Sequence, residues 1–105
     1  MGHRSDVALA LSAKGAAMLR KKLEVTGKET RYLFDHPDRR DMDEDRGEEI
    51  WRWDHVMWHG GCPEVDFISA FLHELDGDDF LFIRIGEDGG IMERSGGFRT
   101  SLVLT

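Results

Sequence analysis

The chain has 105 residues, which fits one small domain, residues 1–105, with a single hydrophobic core. Its 21 acidic residues outnumber 14 basic ones and give a net charge of −7, which argues against a sequence-independent nucleic-acid binder and a polybasic membrane-surface protein. The single cysteine leaves no intramolecular disulfide, and no apolar run approaches the roughly 20 residues of a membrane-spanning helix. We therefore expect a cytoplasmic protein.

The first half of the chain predicts a strand, a helix and a charged loop. Nearly continuous apolar residues at 6–11 are typical of a strand covered on both faces. Ser12 is a suitable N-cap for a helix that ends near Gly27. Residues 30–34 form either a short strand or the start of a loop. Residues 35–49 are rich in acids and are predicted to form a long charged loop.

The second half predicts a helix between strands. Residues 50–58 alternate as a strand and place large apolar side chains on both faces, so we expect a bulge near Asp54 and His55. Pro63 suits a first helical position, and residues 63–75 carry one wide apolar stripe. Further strands are predicted at 80–85, 91–94 and 98–104. The order predicts an α+β fold: two helices packed on one face of a mostly antiparallel sheet, as a two-layer sandwich.

The charge is uneven along the chain. Residues 1–34 hold seven bases and three acids, whereas residues 35–49 hold three bases and eight acids. Such asymmetry is compatible with a dipolar molecule whose copies pair head to tail as a homodimer, but solvated faces are the simpler explanation and the one we favour.

The tryptophans suggest a partner-binding surface. Trp51, Trp53 and Trp58 lie within eight residues, more than one core layer of a small domain usually hides. We expect one or two of them at the surface, because tryptophan is enriched at interface hot spots. The alternative is that all three seal the core between the sheet and the helices.

The acidic loop is the second candidate surface for a partner. A calcium-binding loop is not supported, because Arg46 and Arg52 stand where such a loop needs Gly and Glu. The carboxylates assigned to partner binding are Asp41, Asp43, Glu44 and Asp45.

A polar site is predicted at the turn that follows residues 80–85. Arg84, Glu87 and Asp88 are close together there. The turn does not resemble a phosphate-binding loop, because its carboxylates repel phosphate and no helix follows. An ordinary hairpin turn is the simpler explanation, and a ligand or partner site is the alternative.

His55, His59 and Cys62 have side chains that bind zinc, with His73 as a distant fourth. Their spacing matches no standard zinc finger or ribbon. The simpler explanation is that these histidines make ordinary hydrogen bonds in the core or at its rim. Cys62 with a nearby histidine is a possible nucleophile pair, but no orienting third group is recognisable, and an ordinary turn cysteine is the simpler explanation. We therefore favour a protein without metal, cofactor or catalytic residues.

Three motifs resemble a group of small phage and prophage proteins of unassigned function. They are Trp53-Asp-His-Val-Met-Trp58, the helix that starts Pro63-Glu-Val and ends Phe71-Leu-His-Glu-Leu75, and the most specific one, Phe82-Ile-Arg-Ile-Gly-Glu-Asp88. The likeness covers about residues 50–97, and the group often continues with acids where this chain has Gly89 and Gly90. The resemblance implies a phage or mobile-element origin and no particular activity.

These observations lead to three hypotheses of function. The first is a non-enzymatic phage accessory protein that binds a host protein, for instance as an inhibitor of a defence or nucleic-acid-handling enzyme. The second is a domain that binds or sequesters a nucleotide-like molecule, with Arg52 and Arg84 on phosphate and an aromatic ring on the base. It requires a concave pocket lined by both a tryptophan and an arginine. The third, a metal-dependent enzyme, is the weakest.

Overall fold

The computed structural model describes residues 4–58, 62–86 and 89–99, without the side chains of Glu29 and Met92. It confirms the α+β prediction: three helices pack with a five-stranded antiparallel sheet. No helix in the described residues is long and apolar enough to cross a membrane. The elements are β1 (Arg4–Leu11), α1 (Ala13–Leu23), α2 (Lys28–Asp35), β2 (Arg39–Asp43), β3 (Glu48–Met57), α3 (Pro63–Glu74), a 3₁₀ turn (Gly77–Asp79), β4 (Phe80–Gly86) and β5 (Ile91–Ser95).

Strand β1 lies at the centre of the sheet, whose order is β2-β3-β1-β4-β5. It pairs antiparallel with β3 on one side and β4 on the other. Its alternate residues Leu9 and Leu11 join the main core beneath the three helices, whereas Ala10 packs on the opposite face with Ile50 and Leu81. The helices therefore occupy one face of the sheet.

Helix α1 begins as the sequence predicts. The Ser12 hydroxyl oxygen accepts a hydrogen bond from the Gly15 amide at 3.2 Å, which satisfies one free donor of the first turn. The same hydroxyl donates to Asp79 Oδ1 at 2.9 Å, so the cap also ties α1 to the residue that precedes β4.

The structure corrects two predictions for the middle of the chain. Residues 30–34 lie in helix α2, where Thr30 and Phe34 are one turn apart and both buried. The predicted acidic loop of residues 35–49 mostly forms a hairpin of β2 and the start of β3. Strand β2 reads Arg-Arg-Asp-Met-Asp, and ion pairs of Arg39 with Asp41 and of Arg40 with Glu49 of β3 offset part of its charge, which makes a strand possible where the acids alone suggested a loop.

The predicted bulge near Asp54 and His55 is confirmed. Ser5 pairs with Val56 and Val7 with Trp53, so β3 contains one more residue than β1 across this interval. His55 has φ of 55°, and it is the only non-glycine residue with positive φ in the described parts of the chain.

The final predicted strand, residues 98–104, lies outside the described residues from position 100 onward. The described part shows Phe98 in no strand, with its amide donating to the Phe80 carbonyl at 3.0 Å. This bond brings the chain back beside the start of β4.

We expect substitution of Gly96 by alanine to destabilise the fold more than the same change at Gly89. Both glycines have positive φ, 86° and 84°, but a Cβ on Gly96 would lie 2.2 Å from the Phe80 carbonyl oxygen, whereas nothing lies within 4 Å at Gly89. Gly89→Ala should lower the free energy of unfolding by about 1 kcal/mol and Gly96→Ala by about 3 kcal/mol, as measured by urea denaturation. Equal losses would contradict the close approach at Gly96.

Candidate functional site

All three tryptophans are buried. The exposed fractions of Trp51, Trp53 and Trp58 are 4%, 2% and 8%. Phe34 of α2 packs edge-on against Trp51 and Trp53, with ring centroids 5.6 and 5.5 Å apart. Trp53 Nε1 donates to the Leu33 carbonyl at 2.7 Å. The expectation that one or two indoles lie at the surface is wrong. Helix α2, which the sequence did not predict, covers Trp51 and Trp53, and Trp58 packs against Trp53 and Phe82.

Two of the four carboxylates predicted to bind a partner instead accept hydrogen bonds within their own hairpin. Asp41 Oδ2 accepts from Arg39 Nε at 3.0 Å. Asp43 Oδ1 accepts from the amides of Asp45 and Arg46 at 3.0 and 3.2 Å and so closes the turn. Glu44 and Asp45 are exposed in that turn. The four carboxylates thus lie on one hairpin, but two of them already accept hydrogen bonds from residues of that hairpin.

Arg84 is the predicted site residue that the structure places in a cavity. Its Nη1 donates to the Trp58 carbonyl at 3.0 Å, and its Nε lies 3.6 Å from Glu93 Oε1. The side chain is only 21% exposed, and its Nε makes no hydrogen bond. Glu87 and Asp88, the other residues of the predicted polar site, lie outside the described residues.

The cavity is a groove of about 350 Å³ between α3 and the strands β4 and β5. Six of its lining residues are apolar, three of them aromatic, and the other six are polar. Strand register explains part of this arrangement: Arg84 pairs with Glu93 and Phe82 with Ser95, so these four side chains share the side of the sheet that faces α3. The remaining lining residues are Trp58, Val65, Asp66, Ile68, Ser69, Leu72, His73 and Phe80.

Helix α3 supplies the polar wall, which the sequence analysis missed. Its apolar stripe faces the core, while Asp66, Ser69 and His73 follow at spacings of three and four residues along one flank. The periodicity of this polar stripe was visible in the sequence. Only the structure shows that the flank borders a cavity instead of solvent alone.

The residues considered as metal ligands, and not favoured from the sequence, are not brought together in the described part of the chain. His55 is exposed at the bulge of β3, Cys62 is half-buried at the N-cap of α3, and His59 is not described. The described residues contain no group of three or more potential ligands that could hold a metal ion. His73 instead borders the groove.

Arg52, the second arginine of the nucleotide hypothesis, does not reach this groove. Strand register places Arg52 beside Ala8, on the face of the sheet away from the helices, and its Nε donates to Asp54 Oδ1 at 2.9 Å. Arg84 and Trp58 both line the groove, so it meets the requirement for a concave pocket with an arginine and a tryptophan.

Comparisons with known proteins give no relative from which a function could be carried over. No family model matches the chain, and no curated protein or solved structure matches it either. The resemblance to phage proteins and the host partner therefore stay predictions from the sequence.

We expect the tryptophan fluorescence of the folded protein to be blue-shifted and weakly quenched by acrylamide. The reason is that all three indoles are more than nine-tenths buried. Steady-state quenching should rise sharply when urea unfolds the chain. A fluorescence component in the folded protein that is quenched as strongly as in urea would place at least one indole at the surface and contradict the burial.

Proposed function

We propose that this protein is a non-enzymatic binding domain that holds a small molecule by a carboxylate or phosphate group in the groove beneath α3. The observation that carries the proposal is the guanidinium of Arg84, which lies in the groove with one donor, Nε, lacking an acceptor. Because Nε itself is closed to water, a ligand oxygen would reach it only after a neighbouring side chain moves, and half-exposed Glu93 lies 3.6 Å from it.

The surroundings of Arg84 favour strong binding of an anionic group. Its side chain is four-fifths shielded from water, and charge-assisted hydrogen bonds gain strength where water is excluded. The bond from Nη1 to the Trp58 carbonyl fixes the guanidinium before a ligand arrives. A donor group held in place in advance loses little conformational freedom on binding.

The dimensions of the groove set the size of the ligand. Pockets that bind small molecules typically enclose about 300–1,000 Å³. A volume of about 350 Å³ lies at the lower end of this range. Because Trp58 is only 8% exposed, it offers too little ring surface for base stacking. The geometry thus supports a small acid more than the nucleotide-like ligand that the sequence suggested.

The groove supports binding more than catalysis. Ser69 and His73 lie one helical turn apart on α3, as a nucleophile and its base would. In the described structure no hydrogen bond joins them, and no third group orients the imidazole.

Binding to a host protein is the second proposal, and fewer observations support it. The net charge of −7 supports an acidic docking surface, as does the exposed turn at Glu44 and Asp45. The burial of the tryptophans removes the other surface on which that proposal depended.

Substitution of Arg84 by glutamine tests the proposal. We expect ligand-observed NMR with a panel of small carboxylates and phosphates to find binders of the wild-type protein whose affinity falls ten- to a hundredfold in Arg84→Gln. This is the range expected when a hydrogen bond to a charged group, worth about 1.5–3 kcal/mol, is lost. Arg84→Lys should recover only part of the affinity, because lysine lacks the planar donor pair.

Arg94→Gln is the matched control. Arg94 is exposed on the neighbouring strand, but its pairing with Ile83 places it on the face away from the groove. This variant should bind as the wild type does, and thermal melting should show that each variant is folded. Equal affinity of the wild type and Arg84→Gln, or no binder in the panel, would overturn the proposal.

A further inference from the structure

We infer that the face of the sheet away from the helices binds an uncharged amphiphile, a molecule with a hydrocarbon tail and a neutral polar head. Two adjoining cavities lie on this face, one mainly apolar and one mainly polar, and both are lined by Asp6, Arg52 and Ile85. The groove beneath α3 is on the opposite side of the sheet, so this site is independent of the proposed function.

The apolar cavity exists because the central strand carries small residues on this face. Ala8 of β1 lies between Arg52 of β3 and Ile83 of β4, whose longer side chains extend further from the sheet. The result is a depression over Ala8 of about 340 Å³, which Ile85 and Ile91 also line. Pockets that bind small molecules typically start at about 300 Å³.

The other half of the strand shows what chemistry suits such a depression. Ala10 lies there between Ile50 and Leu81, in the same arrangement as Ala8. All three residues of this second set are buried, and Phe98 packs against them. Hydrocarbon therefore covers the depression over Ala10.

The isoleucines around Ala8 keep surface that a ligand can reach. Ile91 is 62% exposed, and Ile83 and Ile85 are partly exposed. An alkyl chain laid across them would remove this apolar surface from water, which is the main favourable contribution to apolar binding.

The polar cavity, of about 550 Å³, explains why the head is uncharged. Among the described residues that line it, Arg4 and Arg52 carry positive charge, and Asp6 and Asp54 carry negative charge. These charges balance when His55 is neutral. An anionic head would meet two carboxylates there, and a cationic head two guanidinium groups.

The charged groups of this cavity also have partners within the chain. Arg52 Nε donates to Asp54 Oδ1 at 2.9 Å. The backbone of His55 joins the other two, because its amide donates to Asp6 Oδ1 and its carbonyl accepts from Arg4 Nη1, both at 3.0 Å. A hydroxyl or carbonyl head can hydrogen-bond to exposed atoms of these side chains while each of these contacts stays intact.

The test compares three ligands with the same tail and different heads: octanol, octanoate and octylammonium. Each is titrated into the ¹⁵N-labelled full chain below the concentration at which it aggregates. Amide shifts of Ala8, Ile83 and Ile91 report binding. We expect octanol to bind at least fivefold more tightly than either charged analogue, and equal or tighter binding of a charged analogue would overturn the inference.

Filling the depression should abolish the site. Ala8→Leu should weaken octanol at least tenfold, whereas Ala17→Leu, the same change at an exposed position of α1 outside both cavities, should bind as the wild type does. Thermal melting shows whether each variant is folded. Should Ala8→Leu fail to fold, Ile91→Gln should weaken octanol at least threefold, with Val25→Gln, at an 89% exposed position, as its control.

Changing one charge should alter the choice of head. Asp6→Asn keeps an oxygen for the His55 amide and removes one negative charge, so octanoate should bind at least threefold more tightly and octanol as before. Asp78→Asn is the control, because Asp78 is an exposed acid of the 3₁₀ turn outside both cavities.

The remaining outcomes are decisive in the same way. Wild-type affinity of octanol for Ala8→Leu and Ile91→Gln, or no binding up to the solubility of octanol, would overturn the site. Tighter octanol binding by Leu102→Ser would mean that the end of the chain itself occupies the depression, which also overturns it. Arg84→Gln should leave octanol binding unchanged, so this site and the groove beneath α3 stand or fall separately.

Discussion

The central position of β1 is the constraint on which the rest of this structure depends. Because β1 pairs on both edges, its side chains must point alternately into two different layers. Val7, Leu9 and Leu11 are large and point toward the helices, whereas Ala8 and Ala10 are small and point away. The antiparallel register then places the tryptophans of β3 and the phenylalanines of β4 on the same side as the large residues. The helices pack where this apolar volume lies.

On the side of the sheet that faces the helices, the charged side chain near β3 and the one near β4 have different partners. On the β3 half, Glu49 is almost fully buried, and its two carboxylate oxygens contact Arg20 of α1 and Arg40 of β2. Arg40 also lies 5.4 Å above the Trp51 ring. On the β4 half, Arg84 has one carboxylate at 3.6 Å and one donor without an acceptor. Glu49 Oε1 and Arg84 Nε are both buried without a hydrogen bond, but of the two residues Arg84 is the one that lines the groove, and the proposed binding therefore rests on it.

The sequence predicted the elements whose signals are local. The Ser12 cap, the first helical proline Pro63 and the bulge at His55 follow from neighbouring residues, and all three are present. Helix α2 escaped prediction because aromatic and β-branched residues at 30–34 are equally typical of strands. The hairpin within residues 35–49 escaped because its stability comes from cross-strand pairing with residues already anchored to β1.

The sequence by itself determined the fold class and the charge pattern, and it named Arg84 as a candidate site residue. Only the tertiary structure decided that the tryptophans are buried and that Arg84 faces Trp58 and α3, away from Arg52. The physical reason is that burial and pairing across the sheet are non-local. A strand segment shows in its own residues that it has two faces, but the register with distant strands determines which face a helix covers.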